Sequence, residues 1–230
     1  MSRLPPLPLR TVIVSGSGSR PSRTLALAQH IAGAVGELLP IELSVLDMAD
    51  LGPELGRALH RSQLAEGAEQ ALRTVESAQL LIAASPVYRG SYTGHFKHLF
   101  DLIHQDALID VPVILAATGG GDKHCLVIEH SLRPLFAFLQ AFAVPVGIYA
   151  AQADFLEGGR TTELVGSRIR IAARQAAELA SRRDVEPEHA GQGHAGQALP
   201  LRPASLGAQR SSAAREGLVR ESGLLRISAT

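Results

Sequence analysis

Val12-Ile13-Val14-Ser15-Gly16-Ser17-Gly18-Ser19-Arg20-Pro21-Ser22-Arg23-Thr24 decides the fold of this chain. An apolar β-branched run enters a loop of serines and glycines. The loop then opens a segment with Leu25, Ala28, Ile31, Ala32 and Val35 at helical spacing. Backbone N–H groups, serine and threonine hydroxyls and two guanidinium groups thus converge where a helix dipole is positive, which suits a phosphate. The glycine pattern G-x-G-x-x-G fails, because Gly16 and Gly18 are followed by Pro21. The triphosphate pattern G-x-x-x-x-G-K-[ST] fails as well, because no lysine precedes Lys97. No G-x-S-x-G nucleophile elbow occurs. A hydroxyl-rich loop with an arginine suits a single terminal phosphomonoester. The bland alternative is a plain strand-to-helix turn capped by Ser22.

The rest of the chain repeats that alternation. Strands are expected at Thr11 to Val14, Ile41 to Leu46, Leu80 to Ala84, Val111 to Ala117 and Val144 to Tyr149. Helices are expected at Ser22 to Leu38, Leu64 to Ala78, around Phe96 to Ile103, Val127 to Phe142 and Thr162 to Arg183, with Pro134 distorting the fourth. Met48 to Gln63, punctuated by Gly52-Pro53, reads as irregular. Apolar runs such as Leu80-Leu81-Ile82-Ala83-Ala84 require cover on both faces. The expected architecture is α/β: a flavodoxin-like, doubly wound, five-stranded parallel sheet in the order 2-1-3-4-5, with helices on both faces.

Composition narrows the function. The 230 residues are 46% hydrophobic, enough for a sizeable core. The 22 basic and 22 acidic side chains cancel, unlike a dedicated nucleic-acid surface. A single cysteine, Cys125, excludes an internal disulfide and suits a reducing cytoplasm. No apolar run is long enough for a membrane span. Residues 1–9 are expected to be an irregular leader, 10–183 the domain, and 184–230 a disordered tail. That tail holds the near-repeat His189-Ala190-Gly191-Gln192 and His194-Ala195-Gly196-Gln197, and a weak helix at Leu218 to Ile227. His95, His98 and His104 lack converging carboxylates or cysteines and read as surface histidines, with no metal site expected. Cys125 reads as a buried, inert thiol.

In a doubly wound sheet, ligands sit beyond the carboxyl ends of the strands. Two further loops fall there: Ser85-Pro86-Val87-Tyr88-Arg89-Gly90-Ser91-Tyr92-Thr93-Gly94 and Thr118-Gly119-Gly120-Gly121-Asp122-Lys123-His124. The first can lie along a flat ring, and the second lets backbone approach a ligand closely. A phosphate at one loop and a flat heterocycle between two others describes FMN.

Gly16-Ser17 with Pro21-Ser22-Arg23-Thr24, then P-V-Y-x-x-x-Y-x-G-x-x-K from Pro86 to Lys97, then Ala117-Thr118-Gly119-Gly120 and Leu132-Arg133-Pro134-Leu135 occur in order. In these the chain resembles the NAD(P)H-dependent FMN reductase family, and within it the flavin reductases of two-component sulfonate monooxygenase systems. The resemblance covers about Arg10 to Arg183. It implies an oxidoreductase in which Ser17, Arg20, Ser22, Arg23 and Thr24 serve the FMN phosphate, though relatives often place the arginine where this chain has Ser19. It further implies that Pro86, Val87, Tyr88 and Arg89 flank the ring and ribityl chain, and that Thr118, Gly119, Gly120 and Gly121 meet the pyrimidine side. Tyr92 and His130 are implied at a subunit interface or near the flavin. His130, in place of a tyrosine linked to a local helix bulge, implies a helix without that bulge. The implied activity is NADH- or NADPH-dependent reduction of FMN by hydride transfer to N5, with no catalytic side chain. Reduced flavin would pass to a partner monooxygenase, from a cytoplasmic homodimer or homotetramer. An FMN-retaining quinone or azo reductase and a non-catalytic flavodoxin-like carrier are the alternatives.

Overall fold

The computed structural model describes residues 7–183. The expectations for the start of the leader and for the tail, its histidine near-repeat included, lie outside the described residues. β1 (Leu9–Ser15) is followed by α1 (Arg23–Gly36), β2 (Ile41–Asp47), α2 (Met48–Leu55), α3 (Glu66–Glu76), β3 (Leu80–Pro86), α4 (Gly94–Leu102) and β4 (Pro112–Gly119). A π-helical segment (Ile128–Leu132) then runs into α5 (Arg133–Phe138), followed by β5 (Phe142–Ala143), β6 (Ile148–Ala151) and α6 (Glu163–Arg183). All pairings are parallel in the order β2-β1-β3-β4-β5, with β6 also on β4. The flavodoxin-like order expected from the sequence is the one observed.

The alternation of side chains along each strand builds two cores. Val12 and Val14 of β1, Leu81 and Ala83 of β3, and Val113 and Leu115 of β4 join Leu55, Leu72, Phe96, Phe100 and Phe136 on one face. Ile13, Ile82 and Ile114 join Leu27, Ile31, Val35, Val165 and Ala176, from α1 and α6, on the other. The three central strands are therefore buried at nearly every position. The edge strand β2 is only partly covered: Leu46 packs against the first core and Ile41 against the second, while Leu43 and Val45 stay exposed.

Four expectations are corrected. Met48–Leu55 is a helix, not irregular chain: Asp47 caps it, Oδ1 accepting from the Ala49 N–H at 3.5 Å, and burial of Met48 and Leu55 outweighs Gly52-Pro53. The fifth strand is split into β5 and β6, because Pro145 cannot donate to the ladder. Arg133 satisfies the interrupted backbone there, donating to the carbonyls of Val144 at 3.0 Å and Pro145 at 3.1 Å. The helix bulge is present despite His130: Ile128–Leu132 is a π turn, closed by the Arg133 N–H on the Ile128 carbonyl. Pro134 has no N–H to return to the His130 carbonyl, and the wider turn accommodates its ring. Finally, Cys125 is exposed. It follows the short 3-10 turn Asp122–His124, with its N–H on the Asp122 carbonyl, before the chain regains the core at Val127.

Candidate functional site

β1, β3 and β4 end side by side, and their three loops enclose one cleft of about 480 Å³. That lies within the roughly 300–1,000 Å³ range of small-molecule sites. Its walls are Ser17, Ser19, Pro21, Ser22, Arg23 and Thr24 from the first loop, Pro86, Val87 and Tyr88 from the second, and Thr118, Gly119 and Gly120 from the third, with Ala26 and Phe155.

The first loop is organised as a set of donors. Ser22 is the N-cap of α1, its Oγ accepting from the Leu25 N–H at 3.0 Å. The bland cap reading is therefore true, and it leaves the Ser22 O–H proton free to donate. The N–H groups of Ser22, Arg23 and Thr24 find no acceptor among the described residues. They are the orphan donors of a helix start, at the positive end of its dipole. Arg23 forms no ion pair among the described residues, and no carboxylate lines the cleft. Arg20 is placed differently. It pairs with Asp50 and lies 3.9 Å from Asp47, and it is not part of the cleft wall.

The loops are tied together below the cleft. The Gly16 N–H donates to the Ala84 carbonyl at 2.8 Å, and the Gly16 carbonyl accepts from the Thr93 hydroxyl at 2.8 Å. A Cβ on Gly16 would lie 2.9 Å from Ser85 Oγ and 3.1 Å from Phe96, so only glycine fits there. The Val87 N–H donates to the Thr118 carbonyl at 2.8 Å. The buried hydroxyls of Thr24 and Thr118 share a hydrogen bond of 2.6 Å, joining the phosphate-type loop to the glycine loop. Tyr88 and Ser91 close a tight turn through Arg89 and Gly90, both at positive φ (53° and 86°), as a two-residue hairpin loop requires. The turn carries Arg89 out into solvent, and the cleft wall ends at Tyr88.

Gly121 is also outside the wall, its carbonyl taken by the Tyr149 hydroxyl at 2.6 Å. Tyr92 and His130 do meet, but in a separate depression of about 380 Å³ that shares no residue with the cleft. His98 is not a surface histidine. Its Nε2–H is shared between the carbonyls of Leu55 (3.1 Å) and Ala58 (2.8 Å), pinning the end of α2. Among the described residues, no group of three or more His, Cys, Asp or Glu side chains could hold a metal ion. Nor is any described helix long and apolar enough to cross a membrane.

Phe155 is the wall residue that sequence reasoning missed. It lies more than thirty residues past the glycine loop, on a segment without a motif, and β6 returns it to the cleft. Asp154 holds that segment by accepting from the Ala151 N–H and the Thr162 hydroxyl, both at 2.8 Å.

An all-donor helix start joined to an apolar wall and a glycine wall, on a flavodoxin-like sheet, defines a flavin-mononucleotide type of site. Residues 9–155 match the model of the NADPH-dependent FMN reductase family. The chain is 52% identical over 172 residues to the NADH-dependent FMN reductase SfnE of Pseudomonas putida, spanning 75% of this chain and 92% of that protein. It is 51% identical over 172 residues to the FMN reductase (NADPH) of Pseudomonas aeruginosa, with the same two coverages of 75% and 92%. Among solved structures, the apo form of the NADH:FMN oxidoreductase EmoB superposes with a TM-score of 0.68 at 27% identity, covering 83% of this chain and 98% of that one. An oxidoreductase from Corynebacterium diphtheriae gives a TM-score of 0.65 at 31% identity, covering 76% and 98%. The chain belongs to the NADPH-dependent FMN reductase family: it is a flavin oxidoreductase, with FMN and a reduced nicotinamide as its small-molecule partners.

Proposed function

We propose that this protein reduces FMN with NADH or NADPH and releases the reduced flavin to a flavin-dependent monooxygenase acting on a sulfonate. The observation that carries the reading is the single cleft joining an all-donor helix start to two walls able to sandwich a flat ring. Ser17, Ser22, Arg23 and Thr24 hold the phosphate through O–H, N–H and guanidinium donors. Pro86, Val87 and Tyr88, with Arg89 at the rim, flank the ring. Thr118, Gly119 and Gly120 meet its pyrimidine side with backbone, and Gly121 continues the loop beyond the wall. FMN, when bound, supplies the hydride-accepting N5. The protein's part is to hold two rings face to face and to offer N–H groups where negative charge grows. Tyr88 is 54% exposed, so the ring side stays open to solvent, which supports flavin exchange rather than permanent retention. The likeness to the NADH-dependent FMN reductase SfnE supports FMN as the group reduced.

The exposed Phe138 beside Tyr92 and His130 suits a homodimer or homotetramer. The single cysteine, Cys125, supports a reducing cytoplasm as the compartment. Anaerobic oxidation of NADH and of NADPH, with and without added FMN, tests the reading. Oxidation should rise with free FMN, and no stimulation by FMN would overturn it.

A further inference from the structure

Three consecutive glycines have more backbone freedom than any other tripeptide, yet Gly119-Gly120-Gly121 must hold a shape to form a wall. One side chain restrains them. Tyr149, on β6, opposes Ala117 of β4 in the sheet and reaches along the strand to the loop. Its hydroxyl donates to the Gly121 carbonyl at 2.6 Å. A Cβ built on Gly119 would lie 2.1 Å from that hydroxyl and 3.1 Å from Cζ, so the phenol lies directly against the Gly119 backbone. A Cβ on Gly120 or Gly121 would meet nothing within 4 Å. Gly119 is thus required by the tyrosine, whereas a Cβ at either of the next two positions would meet open space.

The planar trans peptide then transmits the restraint. With the Gly121 carbonyl committed to Tyr149, the Asp122 N–H of the same peptide points the opposite way. The N–H groups of Gly120, Gly121 and Asp122 find no acceptor among the described residues, leaving a run of free donors after β4. Burial, with Asp122, Cys125 and Asp154 nearby, raises the pKa of Tyr149, so the hydroxyl keeps the proton it donates.

We propose that Tyr149 is a positioning residue for the glycine loop, fixing the direction of its free N–H groups toward a flavin ring. The inference rests on the FMN reading above, and it adds a residue outside the cleft wall. Tyr149→Phe keeps the ring and removes only the hydroxyl. In the flavin-free protein, the backbone order parameters at Gly120 to Asp122 should fall, with those of the first turn of α1 unchanged. Dissociation constants for FMN and riboflavin should rise together by ~5-fold, leaving their ratio intact, because the loop faces the ring and not the phosphate. The visible band of bound FMN should shift toward that of free flavin. Gly119→Ala, which displaces the phenol, should exceed Tyr149→Phe on each measure. Unchanged order parameters in Tyr149→Phe, or a loss of affinity confined to FMN over riboflavin, would overturn the proposal. Failure of the unaltered protein to bind FMN would instead overturn the functional reading, and the order parameters of the flavin-free loop would still judge the tyrosine.

Discussion

The two arginines of the first loop provide the sharpest test of the phosphate site. Arg20 is committed to Asp50, and their side chains are 59% and 69% exposed. An ion pair that open to water is worth about 0–1 kcal/mol. Asp47, 4% exposed at the side chain, has one carboxylate oxygen without a hydrogen bond among the described residues and Arg20 at 3.9 Å. Arg20→Gln therefore acts on the join between the loop and α2. Arg23 begins α1, lines the cleft and has no carboxylate partner among the described residues. A charge-assisted hydrogen bond to a phosphate contributes about 1.5–3 kcal/mol, and solvent exposure places Arg23 at the lower end. Arg23→Gln should weaken FMN binding about tenfold and leave riboflavin, which lacks the phosphate, unchanged. Arg20→Gln should cost under about fivefold for FMN. Fluorescence-quenching titrations of both flavins at low and high salt measure these ratios. Salt should narrow the FMN-to-riboflavin gap in the unaltered protein more than in Arg23→Gln. If Arg20→Gln lowers the ratio more than Arg23→Gln, the assignment of the phosphate cation is wrong.

Other perturbations address the scaffold. Arg61 grips Glu69 and Glu76, and its hydrogen bonds, with a further one from Arg73, hold the Glu69 carboxyl down at about 2, from 4.5. A carboxylate depressed on folding stabilises above its unfolded pKa and loses that contribution as pH falls. Denaturation midpoints should therefore decline between about pH 4.5 and 2, less so in Arg61→Gln; equal slopes for both proteins would refute this. Phe136 is fully buried, its ring 5.0 Å from Phe100, which lies 4.9 Å from Phe96. Phe136→Ala should cost about 3–5 kcal/mol and lower Tm by ~10 °C. Gln140 ends α5 at φ 56°, with the Ala141 N–H on the Phe136 carbonyl and its own N–H on that of Ala137, a Schellman cap. Gln140→Gly should raise stability by about 0.5–1 kcal/mol in urea unfolding, and a loss there would contradict the left-handed assignment.

The sequence by itself determined the sheet and the three ligand loops. Runs such as Leu80-Leu81-Ile82-Ala83-Ala84 can be buried only between two helical layers, and strand ends in such a sheet gather the polar loops at one edge. These are local properties of pattern. Tertiary structure decided what depends on partners distant in the chain. Asp50, thirty residues on, takes Arg20 away from the cleft that Arg23 lines. Gly52-Pro53 sits inside a helix because the core buries Met48 and Leu55 on either side of it. A π turn forms where Pro134 removes a donor, with His130 inside it. Phe155 joins the cleft, and Tyr149 meets the glycine loop, only because β6 lies beside the end of β4. Each of these contacts pairs residues far apart in sequence, where periodicity and motif carry no signal.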